Sequence, residues 1–346
     1  MKTDVSFASA GFTLAGHLYS PRVLARGRHP AIIVGHPASG VKEQTAGLYA
    51  RRLAEHGFIA LAFDSAYQGE SGGEPRGLED PAQRVEDLKS AVSFMSVCND
   101  VDPERIVMLG ICASAGYAIA ATATDHRVKA VATVSGTDIG WFFRNGPDGK
   151  QDPSVLQGML DHAAIARSAE ARGEGLQAFW IHPANEAEAR GAGQYVYEGW
   201  EYYCTPRGQH PRSAKRLPWQ SVDRIASFDG FGLISMVAPR PLLMVVGRNA
   251  ATSWMTTDAF VNARRPKELC WVEGASHVDL YDKEQYMTPV VAQLNDFYRT
   301  ALLKFGSCAV SSTMGAPTGQ APWSSSDAGP RRPRRAGART LADTPD

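Results

Sequence analysis

A cysteine lies where the sequence would present a nucleophile. Cys112 is the third residue of the segment 110–114 (Gly-Ile-Cys-Ala-Ser), between an apolar run that predicts a strand and a small-residue run that predicts a helix. This strand–turn–helix pattern places a reactive side chain on a tight turn, where small neighbours let the backbone pack closely. The positive end of the helix dipole would favour the thiolate. We therefore predict that Cys112 attacks a carbonyl carbon and forms an acyl intermediate.

Two alternatives to this interpretation of the segment stay open. A buried cysteine is often only a small apolar side chain. Ser114 is a second candidate nucleophile, because Gly116 follows it at the spacing that the turn requires. In that register the hydroxyl would lie inside the helix rather than on the turn, so we favour Cys112.

His277 is the predicted general base. It ends the loop 274–277 (Gly-Ala-Ser-His), which follows an apolar run at residues 269–272 that predicts a strand. In one large group of hydrolases the chain order is nucleophile, acid and then histidine, and a histidine this late in the chain fits the last place. A loop histidine alone is more often only solvated. The prediction therefore depends on the pairing of His277 with Cys112 upstream.

Backbone N–H groups are the predicted donors to the oxyanion that forms when a carbonyl is attacked. The amide of Ala113, directly after the nucleophile, is one donor. The second should come from the loop 36–40 (His-Pro-Ala-Ser-Gly), which follows the first predicted parallel strand. Pro37 has no N–H, so we predict Ala38 as the second donor. We interpret His36 as a structural residue that holds this loop.

The elements that would position these residues alternate along the chain. Short apolar runs predict buried strands, and segments with helical spacing lie between them. After an N-terminal hairpin, the alternation predicts an α/β fold with a mostly parallel sheet and helices on both faces. It is broken between about residues 138 and 235. We interpret residues 139–234 as a helical lid above the carboxyl edge of the sheet, where open sheets of this kind bind ligands.

The predicted lid is rich in aromatic side chains. We expect two or three of them to line an apolar substrate pocket and the rest to fill the core of the lid itself. The set comprises Trp141, Phe142, Phe143, Trp180, Tyr195, Tyr197, Trp200, Tyr202, Tyr203 and Trp219. Arg207 and His210 are candidates for binding a carboxylate or a phosphopantetheine-like group, although a structural turn is the interpretation that we favour.

The composition argues against several classes of function. The 346 residues contain 36 Lys and Arg against 36 Asp and Glu, so there is no basic excess to bind nucleic acid or an anionic membrane. Five cysteines without a Cys-x-x-Cys pair argue against a disulfide framework and against a zinc site. The chain has no long apolar stretch and no apolar segment at its start. We therefore expect a cytoplasmic protein without a membrane span.

The last part of the chain differs in composition from the rest. From residue 306 onward it is rich in Ser, Pro and Arg and has almost no large apolar residues. Such a segment cannot bury enough surface to offset its ordering entropy. We therefore predict a single domain over residues 1–305, followed by a disordered tail over residues 306–346.

Several motifs together resemble one known family. The segment around Cys112, the loop 36–40 with the following residues 41–44 (Val-Lys-Glu-Gln), and residues 274–281 (Gly-Ala-Ser-His-Val-Asp-Leu-Tyr) resemble the dienelactone-hydrolase-like branch of the α/β-hydrolase superfamily. Residues 202–211 (Tyr-Tyr-Cys-Thr-Pro-Arg-Gly-Gln-His-Pro) are similar to bacterial uncharacterised hydrolases related to the fungal polyketide transferases.

The resemblance implies a fold and a class of chemistry. The fold would be that of an α/β-hydrolase with a helical lid. The activity would be cleavage of an ester, lactone or thioester through an acyl-cysteine, with no cofactor and no metal. The alternative is an acyltransferase that moves a carrier-bound acyl or polyketide chain to an alcohol. A binding protein without catalysis is disfavoured because Cys112 and His277 are both present. The expected partner is a small-molecule acyl substrate, free or carrier-bound, and a homodimer is left open.

The acid of the triad departs from the family pattern. The resemblance implies an acid soon after the strand that follows the insertion, but residues 247–254 (Gly-Arg-Asn-Ala-Ala-Thr-Ser-Trp) contain no carboxylate and the next is Asp258. Some α/β-hydrolases take the acid from the strand after the nucleophile helix, which here ends near Asp138. Our hypothesis is that Asp138 orients His277 and compensates its charge. The alternatives are that Asp138 caps the first lid helix, that Asp258 is the acid, or that the site has no acid.

Overall fold

The structure is a computed structural model that describes residues 1–23 and 27–306. Its strands are β1 (Lys2–Ser9), β2 (Phe12–Tyr19), β3 (His29–Gly35), β4 (Ile59–Phe63), β5 (Val101–Ile111), β6 (Val128–Val134), β7 (Ala178–Trp180), β8 (Arg216–Pro218), β9 (Leu242–Gly247) and β10 (Lys267–Val272). Its helices are α1 (Thr45–Glu55), α2 (Pro81–Ser96), α3 (Ser114–Thr124), α4 (Ile139–Asn145), α5 (Pro153–Ala171), α6 (Glu186–Gly191), α7 (Gln194–Cys204), α8 (Gln220–Ala226), α9 (Ser253–Asn262), α10 (Asp279–Asp282) and α11 (Glu284–Gly306). The predicted tail lies outside the described residues, apart from Gly306 at the end of α11.

Eight of the strands in the described residues form one sheet. Their order is β1-β2-β4-β3-β5-β6-β9-β10. The first two strands form the predicted hairpin, and β2 pairs antiparallel with β4. Every other neighbouring pair is parallel. The predicted mostly parallel sheet is therefore confirmed.

Helices cover both faces of this sheet. The strands β3, β4, β6 and β9 are almost completely buried, as expected for parallel strands with helices on each side. Contacts join α1 to α11, and they also join α2 to α3. Because β4 lies on one side of β3 in the sheet and β5 on the other, right-handed crossovers place α1 and α2 on opposite faces. The prediction of helices on both faces is confirmed as well.

The insertion follows β6 and ends before β9. It carries α4 to α8, the two-stranded ribbon of β7 and β8, and a short 3₁₀ helix at Phe231–Met236. These elements correspond to the predicted lid. Several of them line the cavity described below, opposite residues at the carboxyl edge of the sheet. None of the helices in residues 1–23 and 27–306 has the length and apolar character that crossing a bilayer requires.

The parallel register brings the predicted site residues to one edge. Gly35 pairs with Gly110, and Ile111 pairs with Val134. The strands β9 and β10 continue this edge with Val272 opposite Gly247. The loops that carry Ala38, Cys112 and His277 all start there because each follows the carboxyl end of a parallel strand.

Candidate active site

Cys112 occupies the turn between β5 and α3. Its φ is +54°, in the left-handed region that a side chain normally avoids. Hydrogen bonds fix this conformation. The Cys112 N–H donates to the Val134 carbonyl at 3.1 Å, and the Cys112 carbonyl accepts from Thr137 N at 3.0 Å. Gly110, the residue before the last of β5, has no side chain, and a Cβ there would clash with the carbonyl oxygen of Ser114. The strained turn that the sequence predicted is present, and it points the thiol into a cavity.

The competing nucleophile faces another part of the molecule. Ser114 is the first residue of α3, and its hydroxyl packs against Gly35 of β3, where any Cβ would clash with it. Among the described residues that line the cavity, Cys112 is present and Ser114 is not. The structure thus places only the thiol of this pair where a substrate could reach it.

Burial makes Cys112 a thiol rather than a thiolate in the resting protein. It raises the pKa of Cys112, and hydrogen bonds from the Tyr281 and Thr137 side chains and the Ala113 amide oppose that rise without cancelling it. The Thr137 hydroxyl lies 3.7 Å from Sγ. A base is therefore needed to remove the thiol proton when a substrate is attacked.

His277 is held at the same edge by two hydroxyl groups. It follows β10 and is almost fully buried. Its Nδ1 lies 2.6 Å from the Thr252 hydroxyl, and its Nε2 lies 3.1 Å from the Tyr281 hydroxyl. Its backbone carbonyl accepts from Ser135 Oγ at 2.7 Å. Burial lowers the pKa of His277 to about 3, so the imidazole is neutral at physiological pH.

Tyr281 connects the cysteine with the histidine. Its hydroxyl contacts the Cys112 thiol as well as Nε2 of His277. Tyr281 lies in α10, four residues after His277, and the two rings meet edge to face with their centroids 5.7 Å apart. The sequence analysis quoted Tyr281 only as part of a motif and gave it no role. The four-residue spacing from His277 is the signal that could have identified it.

Asp138 forms no hydrogen bond with His277, so the hypothesis that it orients the imidazole is wrong. One carboxylate oxygen of Asp138 accepts from Trp141 N at 3.0 Å. The other accepts from Gly230 N at 2.6 Å and from Phe231 N at 3.0 Å. Three backbone donors thus satisfy this buried carboxylate and turn it towards the lid. The alternative interpretation applies, because Asp138 is the N-cap of α4.

No other carboxylate takes the place of Asp138 beside the imidazole in the described residues. Asp258 is exposed on α9. The Nδ1 partner is the buried Thr252, in the loop after β9 where the family pattern had led us to expect an acid. The sequence showed that this loop lacks a carboxylate, but it did not indicate that a hydroxyl would contact the histidine.

The two predicted oxyanion donors lie at the thiol and in the cavity wall. The Ala113 amide hydrogen-bonds to the Cys112 sulfur, and Ala38 lines the cavity with Cys112. His36 is buried beneath this loop, where its Nε2 accepts from Ser65 N at 3.2 Å. This contact agrees with the structural role that we predicted for His36. The roles of Ala113 and Ala38 in catalysis stay predictions.

A cavity of about 360 Å³ lies between the sheet edge and the lid. Cys112, His277 and Tyr281 line it from the sheet side. Four of the ten lid aromatics named in the sequence analysis line it from the other side, rather than the two or three that we expected. They are Phe142, Phe143, Tyr195 and Tyr203. Phe179, which that set omitted, lines it too. Such a wall suits an apolar acyl group and keeps bulk water from the thiol.

A buried ion pair forms part of the wall of this cavity. Glu79 lines the cavity and binds Arg84 through both carboxylate oxygens, at 2.7 and 2.9 Å. The Tyr117 hydroxyl donates to the same carboxylate at 2.8 Å. Glu79 thus has its hydrogen bonds satisfied within the protein. The sequence analysis did not identify it, since its partners are seen only in the folded chain.

Arg207 joins the lid to the segment that carries the site. It binds Glu201 of α7 at 2.7 Å and Asp282 of α10, and it donates to the Val278 carbonyl at 3.1 Å. It does not line the cavity that contains Cys112. The structural interpretation of Arg207 therefore agrees with its contacts.

Comparisons with known proteins give consistent results. A profile described as the Dienelactone hydrolase family matches residues 14–178. The uncharacterised protein YcjY of Escherichia coli K12 is 36% identical over 307 residues, which are 87% of this chain and 100% of YcjY. PA2218 of Pseudomonas aeruginosa is 39% identical over 283 residues, 81% of this chain and 76% of PA2218. Its crystal structure has a TM-score of 0.79 at 35% identity, over 86% of this chain and 94% of that chain.

Fungal relatives carry names that describe activities. The thiohydrolase apmlB of Arthrinium phaeospermum is 28% identical over 247 residues, which are 68% of this chain and 75% of the apmlB chain. The polyketide transferase ATR5 of Stachybotrys chlorohalonatus is 28% identical over 306 residues, which are 83% of this chain and 94% of the ATR5 chain. The resemblance seen in the sequence motifs is therefore confirmed.

Proposed function

Because the chain belongs to the dienelactone hydrolase family of α/β-hydrolases, we propose that it cleaves a thioester or ester through a covalent acyl-cysteine intermediate on Cys112. One observation carries the proposal: the thiol projects from a strained turn into an aromatic cavity and is linked to His277 through the Tyr281 hydroxyl. The relatives named thiohydrolases support the choice of a thioester.

The first step transfers a proton and forms one bond. As the thiol attacks the carbonyl carbon, its proton passes to Nε2 of His277, either directly or through the Tyr281 hydroxyl, which gives up one proton and receives another. The electron pair of the carbonyl moves onto oxygen, where the amides of Ala113 and Ala38 would donate hydrogen bonds. For Nε2 to accept a proton, Nδ1 must carry the other, so Nδ1–H donates to the Thr252 hydroxyl.

The second half of the reaction returns the enzyme to its starting state. Collapse of the tetrahedral intermediate breaks the bond to the leaving thiol or alcohol, which takes the proton from His277. Water then attacks the acyl-cysteine while His277 accepts its proton, and the released carboxylic acid leaves Cys112 as a thiol. A thiolate leaves more readily than an amine, so the weakly basic His277 suits thioesters and activated esters better than amides.

Trapping the acyl-enzyme tests this proposal. The purified protein is mixed with an acyl thioester, quenched in acid and examined by intact mass spectrometry and peptide mapping. We expect one acyl group on Cys112, and none in Cys112→Ala. Cys270→Ala is the matched control, since Cys270 lies half-buried on β10 outside the cavity, and it should be acylated like the parent. Turnover by Cys112→Ala at the parent rate would overturn the proposal.

Acyl transfer to an alcohol is the second candidate function. It keeps the acyl-cysteine and replaces water by an alcohol acceptor. The aromatic wall of the cavity favours it, since excluding water lengthens the life of the intermediate, and relatives named polyketide transferase or acyltransferase support it. Supplying an acyl thioester with and without an alcohol separates the two, because transfer gives ester in excess of acid while hydrolysis gives acid in both mixtures.

A further inference from the structure

A histidine in the lid lies on the wall between two cavities. His182 lines the cavity that contains Cys112 and also a neighbouring cavity of about 840 Å³. Ile181 and Val196 likewise line both. The neighbouring cavity has Trp180 and Lys215 among its other lining residues and does not include Cys112. A group that binds His182 would therefore lie at the end of the catalytic cavity that adjoins the second one.

The ring of His182 is held in place by an aromatic neighbour. It stacks on Tyr203, with the ring centroids 5.2 Å apart and the planes 20° from parallel. The Tyr203 side chain hydrogen-bonds to that of Tyr281, which in turn contacts the Cys112 thiol. His182 is thus two side chains away from the nucleophile. Cys112 and His182 line the same cavity, so a chain attached to a carbonyl at Cys112 could extend to His182.

One nitrogen of His182 is buried without a partner. In the described residues, nothing forms a hydrogen bond with Nε2. Other buried polar groups of the cavity differ, because Glu79 is satisfied by Arg84 and Tyr117, and His277 by two hydroxyl groups. A buried polar atom without a partner costs free energy, which a ligand with the matching group recovers on binding.

The state of the ring selects the kind of group that it would bind. Burial lowers the pKa of His182 to about 4, so the ring is neutral at physiological pH. A neutral ring does not compensate the charge of a buried carboxylate or phosphate, and the nearby Lys215 ammonium, which also lowers this pKa, already donates to the Tyr203 carbonyl at 2.8 Å. A hydroxyl both donates and accepts, so it can bind Nε2 in either tautomer, whereas a ketone oxygen serves only the protonated nitrogen.

We propose that His182 is a substrate-binding residue whose Nε2 forms a hydrogen bond with a hydroxyl group on the acyl chain, so that the enzyme prefers hydroxyacyl substrates to unsubstituted ones. This inference rests on the proposed function of Cys112. The reacting carbonyl lies at Cys112 and the hydroxyl further along the chain, towards the second cavity. His182 has no part in the bond-breaking steps, and its effect is on which acyl chains are accepted.

Paired substrates test this proposal. Hydroxyacyl thioesters with the hydroxyl at successive carbons are compared with unsubstituted and ketoacyl thioesters of equal length. We expect kcat/KM of the parent to be highest for one hydroxyl position, and His182→Phe to lower that value about 10- to 100-fold, as for the loss of one buried hydrogen bond. For the unsubstituted chain, the same variant should lower kcat/KM by a smaller factor, because that chain has no hydroxyl to lose and Phe keeps the stacking on Tyr203.

Binding without turnover separates this proposal from the function of Cys112. Non-cleavable thioether analogues, with and without the hydroxyl, are titrated into the parent and into His182→Phe by calorimetry. We expect only the parent to bind the hydroxylated analogue more tightly. If both analogues bind the parent equally, or if His182→Phe weakens both by the same factor, the proposal is wrong. If neither the hydroxyacyl nor the unsubstituted thioester acylates Cys112, but the hydroxylated analogue still binds more tightly, the proposed function is wrong and the proposed role of His182 is supported.

Discussion

The sheet edge and the lid contribute different things to the cavity. At the sheet edge, the polar side chains are bonded to one another: His277 lies between the hydroxyls of Thr252 and Tyr281, and Tyr281 contacts Cys112. The lid contributes mainly aromatic faces, together with His182, whose Nε2 has no partner in the described part of the chain. Under the proposed function, the sheet edge would carry out the chemistry and the lid would provide the surface that a substrate must match.

The largest effect should come from the link between cysteine and histidine. Tyr281→Phe removes the hydroxyl that contacts both residues, and we expect kcat to fall about 100-fold, within the range for a positioned proton-transfer group. Tyr202→Phe is the matched control, since the Tyr202 ring packs against Tyr281 at 5.2 Å and does not line the cavity. Steady-state kinetics with one thioester gives both values. A parent-like kcat for Tyr281→Phe would show that the two residues act without it.

Removing the hydroxyl on the other side of the imidazole should have the next largest effect. Thr252→Val keeps the shape of the side chain and removes the partner of Nδ1, so the ring loses its preferred tautomer and orientation. We expect kcat to fall roughly 10- to 100-fold. Asp258→Asn should stay within about twofold of the parent, because Asp258 is exposed on α9. A large loss of turnover in Asp258→Asn would contradict this assignment and restore the carboxylate alternative.

Asp138 should affect the stability of the lid more than the chemistry. Asp138→Asn replaces an oxygen that accepts from Gly230 N and Phe231 N with an NH₂ group, and we expect a loss of about 1–3 kcal/mol in unfolding free energy. Asp152→Asn is the matched control, because Asp152 caps α5 through one oxygen, which Asn retains. Urea denaturation followed by circular dichroism measures both variants. Equal stability of the two variants would show that the three hydrogen bonds of Asp138 contribute little.

The smallest predicted effect concerns the pH dependence of stability, to which His277 at the sheet edge and His182 in the lid contribute. The pKa of His277 falls to about 3 and that of His182 to about 4, both below the ordinary value of 6.5. Between pH 6.5 and the folded-state pKa of each histidine, the unfolded chain binds a proton that the folded chain does not. The stabilisation that comes from a neutral histidine is therefore complete above pH 6.5, and the free energy of unfolding declines as the pH falls below that value. Denaturation between pH 7 and pH 4 should show a smaller decline in His182→Phe than in the parent. An identical decline would contradict the burial of this ring.

Local sequence patterns predicted most of the sheet edge. Apolar runs bounded by turn residues indicated the strands, and the segment around Cys112 indicated the tight turn, since each pattern is complete within a few residues. His277 was identified from its place after the last strand. Thr252 was not, because its contact with His277 exists only when the loops after β9 and β10 meet, and Tyr281 was not, because its contact with Cys112 joins α10 to the turn after β5.

The lid was predicted only in outline. Its position between β6 and β9 could be seen as a break in the alternation, and its aromatic content suggested a pocket. Which aromatics face the cavity depends on how α4 and α7 pack, and a composition does not contain that information. Asp138 failed as the predicted acid for the same reason, since two of its three donors come from Gly230 and Phe231, more than ninety residues later in the chain.

The left-handed backbone at Cys112 has a consequence for the evolution of this site. A cysteine at φ +54° costs conformational energy that a glycine would not, and this cost is present in every folded molecule whether or not substrate is bound. Selection for thermal stability alone would therefore favour Gly at this position, and selection for turnover would oppose it. Under the proposed function, Cys112→Gly would relieve this conformational cost and would also remove the atom that carries the acyl group.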